Sequence, residues 1–83
     1  MTSFNFTIQL VENNIDDEGV NKLYEAGCDD GLVYEQGGKA YIEFDREAEN
    51  EDEAYFSAKA NIEAAGFNVE THYMEVDQQE LDL

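Results

Sequence analysis

The chain has 83 residues, 21 Asp plus Glu against 4 Lys plus Arg, a formal net charge of −17 and a pI near 4.1. A surface that acidic repels nucleic acid and anionic membranes and attracts basic surfaces, while the length fits one domain on a small core. A hydrophobic fraction of 42% with five Phe and five Tyr excludes a disordered chain, and Cys28 as the single cysteine excludes an intramolecular disulfide or a cysteine metal cage.

Met1-Thr2-Ser3-Phe4 shows no basic region followed by an apolar run. No segment reaches membrane-spanning length, so a cytoplasmic setting in a bacterial host cell is expected. Phe4, Phe6, Ile8 and Leu10 alternate with Asn5, Thr7 and Gln9, the period of a strand with one buried face. Asp16 or Asp17 then caps a helix with Val20, Leu23 and Tyr24 at helical spacing, closed by Ala26-Gly27. Leu32-Val33-Tyr34 predicts a short strand, Gln36-Gly37-Gly38-Lys39 a two-glycine hairpin, and Ala40, Ile42 and Phe44 the inward side of a third strand.

A second helix is expected from about Glu51 to Ala65, with Tyr55, Ala58, Ile62 and Ala65 as its inward stripe and Gly66 as its stop. Phe67, Val69, Thr71 and Tyr73 give a last alternation. The order βαββαβ predicts an α+β, ferredoxin-like domain over residues 1–76, a four-stranded antiparallel sheet with two helices on one face, followed by an acidic tail, 77–83. The open sheet face would carry Asn5, Thr7, Gln9, Tyr41, Glu43, Asp45, Glu70 and His72.

The densest charge lies in Asp45-Arg46-Glu47-Ala48-Glu49-Asn50-Glu51-Asp52-Glu53, where only Arg46 answers six carboxylates. Asn50 suits an N-cap, Glu53 the reciprocal position of a capping box, and acids in a first turn complement the macrodipole. That local account leaves Asp45, Glu47 and Glu49 unexplained. Asp16, Asp17, Glu18, Asp29 and Asp30 form a second acidic patch.

Catalytic readings find little support. Gly37-Gly38-Lys39 lacks the following helix that would aim N–H groups at a phosphate. RNA-binding modules of this topology set aromatics among basic residues, the opposite of this composition. His72 is the only histidine and no Ser or Cys is paired with it by spacing. The acids beside Cys28 argue against a reactive thiolate, and the acidic run lacks the glycine and closing Glu of an EF-hand loop. No enzyme activity and no cofactor are expected.

Leu23-Tyr24-Glu25-Ala26-Gly27-Cys28-Asp29-Asp30, with Phe44-Asp45-Arg46-Glu47-Ala48 and the segment from Asp52-Glu53-Ala54 to Ser57-Ala58, resembles the N-terminal domain of a group of small bacterial helix-turn-helix regulatory proteins. The resemblance spans most of residues 4–70. It implies a regulatory or accessory role. The chain ends near Leu83, where the DNA-binding helices of that family would begin, so DNA reading by that route is not expected.

Two functional expectations follow. In the first, the protein is a nucleic-acid mimic whose carboxylates stand in for phosphates and occupy the basic site of a nuclease or CRISPR effector subunit, as an anti-CRISPR or anti-restriction inhibitor would. Asp45, Glu47, Glu49, Glu51, Asp52 and Glu53 would carry that contact, with Asp16, Asp17, Glu18, Asp29 and Asp30 as the second patch. In the second, it is a non-catalytic interaction module that pairs with a partner, or with itself as a homodimer, through the sheet edge or open face.

Overall fold

The computed structural model describes residues 2–74. They form β1 (Thr2–Leu10), α1 (Asp17–Leu23), a π-helical turn (Tyr24–Cys28), β2 (Gly31–Gln36), β3 (Lys39–Ala48), α2 (Glu51–Ala64) and β4 (Val69–Met74). The fold is α+β, with one four-stranded antiparallel sheet in the order β2-β3-β1-β4. Thus β1 and β2 run parallel with β3 between them, and β3 and β4 run parallel with β1 between them. The predicted tail, and any extension of β4 to Val76, lie outside the described residues. Among those described, no helix is long and apolar enough to cross a membrane.

Alternation along β1 and β3 sends Phe6, Ile8, Ala40, Ile42, Phe44 and Ala48 to one side, where they are buried. Leu23 of α1 and Ala54, Ala58 and Ile62 of α2 join the same cluster, so both helices cover this face. Phe6 and Phe44 stack at its centre, with ring centroids 5.2 Å apart. The small residues of α2 let that helix lie close to the strands, and the larger volume comes from the sheet.

The elements begin and end for local reasons. The Asp16 side chain accepts from Gly19 N at 2.8 Å and caps α1. Gly37 and Gly38 have φ of 62° and 80°, the pair of left-handed residues a two-residue hairpin needs. The first helix does not run regularly to Ala26: it is α-helical through Leu23 and leaves by a wider turn in which Gly27 takes φ 120°. A Cβ on Gly27 would stand 2.8 Å from the Asn61 side chain, so the turn needs glycine for packing as well as for φ.

In β4 the expected alternation is reversed beyond Val69. Leu10 pairs with Val69 but Gln9 pairs with Thr71, which leaves Glu70 as an extra residue on β4. This β-bulge turns the rest of the strand over. His72 therefore stands opposite Ile8 on the helix side and stacks on Tyr55 of α2 at 3.9 Å, instead of lying on the open face. Thr71 and Tyr73, expected inside, pair with Gln9 and Thr7 on the open face.

Candidate functional site: an acidic end and an open sheet face

β3 runs through the first half of the acidic stretch, to Ala48, so strand alternation sorts its charges. Asp45 and Glu47 project from the open face, opposite Asn5 and Ser3, while Arg46 turns inward. Arg46 is only 9% exposed. Its Nε and Nη2 donate to the two carboxylate oxygens of Asp30 at 2.7 and 2.9 Å. Nη2 also donates to the Gly27 carbonyl at 2.8 Å, and Nη1 to Ser57 Oγ at 3.1 Å. The guanidinium lies 5.0 Å from the Phe44 ring centroid. Hydrogen bonding to Asp30 pushes the already high Arg46 pKa further up, against the opposing effect of burial.

Arg46 thus does not answer the carboxylates beside it in sequence. It joins the turn before β2 to α2, and in doing so commits Asp30, expected as a free surface acid, to an internal ion pair. Two further candidates have structural partners. Asn50 Oδ1 accepts from Glu53 N at 2.8 Å, and Glu53 Oε1 accepts from Glu49 N at 2.9 Å, a capping box closed one residue beyond the cap. Asp16 caps α1.

Asp45, Glu47, Glu49, Glu51, Asp52 and Asp29 are exposed, and their carboxylates accept no hydrogen bond from the described residues. Because β2 starts opposite Phe44 and α2 starts just after β3, they all gather at one end of the molecule. Asp45 N donates to the Asp30 carbonyl at 3.2 Å, and an open recess of about 550 Å³ there is lined by Asn5, Asp29, Asp30, Gly31, Leu32, Glu43, Phe44 and Asp45. The first and second patches therefore meet at Asp29 and Asp30. Asp16, Asp17 and Glu18 do not join them: they lie at the hairpin end, where Ile15 N donates to Glu35 Oε2 at 3.1 Å. Ten residues of strand, roughly 30 Å, separate the ends.

The open face carries two further features, the first of which strand parity gives. Glu43 continues the column of Asp45 and Glu47 along β3. The face is also more aromatic than expected: Tyr34 and Tyr41 stack with centroids 5.3 Å apart, and Tyr73 reaches Gln9 Oε1 with its hydroxyl at 3.5 Å. Leu32 and Tyr73 are 59% and 55% exposed there. The β4 bulge hid Tyr73, whereas Tyr41 was visible from strand parity.

Cys28 is fully buried, and burial pushes its thiol up to about 11; Arg46 opposes that shift, and Asp30 and Asp29 reinforce it. Among the described residues no three His, Cys, Asp or Glu side chains gather in a group that could hold a metal ion. No protein-family model, curated protein or solved structure matches the chain.

Proposed function

We propose that this protein is a non-catalytic nucleic-acid mimic that binds the basic nucleic-acid site of another protein. The observation that carries the reading is the acidic end. There Asp29, Asp45, Glu47, Glu49, Glu51 and Asp52 stand exposed on strand and helix ends, while the one cation among them, Arg46, is buried and consumed by Asp30. A site built to neutralise phosphates with Lys and Arg accepts such a surface, and the net charge speeds the encounter. The ferredoxin-like description belongs to the same proposal, supported by the interleaving of the two parallel strand pairs. That topology supplies the stiffness: three of the segments that present the charges are pinned by the Arg46 hydrogen bonds.

The experiment is a salt titration of binding to nucleases of the restriction and CRISPR effector classes, with duplex DNA as competitor. Mimicry predicts that affinity falls by about 10²-fold or more between low and moderately high salt and that DNA and this chain exclude each other. Affinity indifferent to salt, or a ternary complex with DNA, would reject mimicry and favour an interaction module acting through other surfaces.

A further inference from the structure

The open face of the sheet has a composition that its acidity alone does not account for. Across its middle row stand Leu32, Glu43, Thr7 and Tyr73, in the pairings Leu32 with Glu43, Glu43 with Thr7 and Thr7 with Tyr73. The two ends of that row, Leu32 and Tyr73, are among the most exposed large apolar residues described. The next row toward the hairpin carries the Tyr34–Tyr41 stack, and the next rows toward the acidic end carry Asp45 and Glu47. Carboxylates thus follow one another along β3 at about 6.6 Å, two residues apart, beside apolar and aromatic surface that no described element covers.

We propose that the basic partner docks chiefly on this face, with the first turn of α2 at its margin, and that the face selects arginine over lysine. The inference rests on the reading that the partner is a basic protein. Charge complementarity decides the occupant. A second copy of the chain would set Glu43, Asp45 and Glu47 against the same residues, and nucleic acid would set them against phosphate. A guanidinium is planar, pairs with a carboxylate through two N–H groups and stacks on an aromatic ring with little loss of hydration, so it uses Glu43 and Asp45 together with Tyr41 or Tyr73. An ammonium is a compact, strongly hydrated charge that pairs with one carboxylate at a time and gains less from the rings. The recess beside Leu32, Glu43 and Asp45 gives one such side chain a concave seat at the β2 edge. The acids at the start of α2 stand near one exposed aromatic, Phe56, four residues after Asp52 and packed edge-on against Tyr55, and Glu53 among them is already held by the cap.

The test uses the full chain, isotope-labelled, titrated with nona-arginine and with nona-lysine at physiological salt while backbone amide shifts are followed. The expected result is a set of shifts centred on Leu32, Tyr41, Glu43, Asp45 and Tyr73, with nona-arginine bound at least about fivefold more tightly. Glu43→Gln, Asp45→Asn and Glu47→Gln together should weaken nona-arginine binding about tenfold. Leu32→Ser with Tyr73→Ser should cut the preference for arginine by about twofold or more, Tyr41 being left in place, while leaving nona-lysine binding within about twofold. All five positions are exposed, and amide dispersion of each variant checks that it folds. If binding is instead lost on Glu49→Gln, Glu51→Gln and Asp52→Asn, with shifts confined to α2, the basic-partner reading stands and the sheet-face inference is overturned. If neither peptide binds, both fail. Shifts on the face that grow with protein concentration alone would identify a second copy as the occupant and overturn the inference.

Discussion

The guanidinium of Arg46 meets the carboxylate of Asp30 in a two-pronged pair, Nε to Oδ2 at 2.7 Å and Nη2 to Oδ1 at 2.9 Å. The same side chain reaches Gly27 O and Ser57 Oγ, so three segments distant in sequence converge on one planar group. Removing it leaves Asp30 facing a buried gap without its counter-charge. Arg46→Ala should cost about 2–3 kcal/mol, toward the lower end for a buried pair because a third of the Asp30 side chain is exposed. Arg46→Lys should cost about 1–2 kcal/mol, since an ammonium cannot serve three acceptors in one plane. Urea unfolding reads both, and an Arg46→Lys protein as stable as the parent would refute the role given to the fork.

Carboxylates with structural partners should behave oppositely to those without. Asn50→Ala, which removes the α2 cap, should lower stability by about 1 kcal/mol. Asp45→Asn, Glu47→Gln and Glu49→Gln remove charge from a strongly repulsive end, and each should raise the melting temperature by about 1–2 °C at low salt. The gain should disappear near molar salt, where the screening length shrinks to about 3 Å. Thermal melts across a salt series give the answer, and a gain that persists at high salt would show that repulsion is not its cause.

The Cys28 thiol should be inert in the folded protein. It is buried, and with its pKa raised to about 11 it is protonated at pH 8. Alkylation by iodoacetamide at that pH should be at least about 100-fold slower than in concentrated guanidinium chloride. Arg46→Ala should accelerate it, because opening becomes less costly. The raised folded value also means that the protonated thiol favours the fold below the unfolded cysteine pKa. That contribution fades as pH climbs toward 11.

Glu12 joins the end of β1 to the entry of β4. Its Oε1 accepts from Asn68 N at 3.1 Å and its Oε2 from Asn68 Nδ2 at 3.0 Å. Burial raises its pKa, but these hydrogen bonds and one from its own N–H outweigh burial and hold the carboxyl below its ordinary value. A depressed folded pKa stabilises above the unfolded value, about 4.3, and the benefit is lost as pH falls through the lower folded value. Glu12→Gln should therefore melt a few degrees lower at neutral pH, about 0.5 kcal/mol, and the deficit should shrink well below pH 4. Melting curves of both proteins across that range check it, with the effect of acid on the rest of the surface cancelling in the difference.

Much of this was legible from local pattern. Gly37-Gly38 announced the hairpin, Asn50 and Glu53 the start of α2, and the parity of Ala40, Ile42 and Phe44 the buried side of β3. Carried two residues further, that parity places Arg46 inside, but a charged residue at a strand end is easily read as solvent-facing. The meeting of Asp29 and Asp30 with Asp45 was not legible, because it depends on β2 starting opposite Phe44, a relation between segments rather than within one. The wide turn at Tyr24–Cys28 was hidden because Gly27 ends an α-helix and a π turn alike. The reversal in β4 turned on Glu70, whose chemistry does not distinguish a bulged residue from a paired one.

That single unpaired residue makes the inner and outer surfaces of β4 a matter of counting. Pairing Glu70 with Gln9 in an unbroken ladder would exchange the sides of all that follow, carrying the imidazole away from Tyr55 and driving the phenol of Tyr73 into the space beneath the helices, whereas excising Glu70 would close the bulge and leave both where they stand. The surplus residue, and not the composition of β4, thus decides which groups the core receives, and a one-residue deletion there is absorbed without turning the strand.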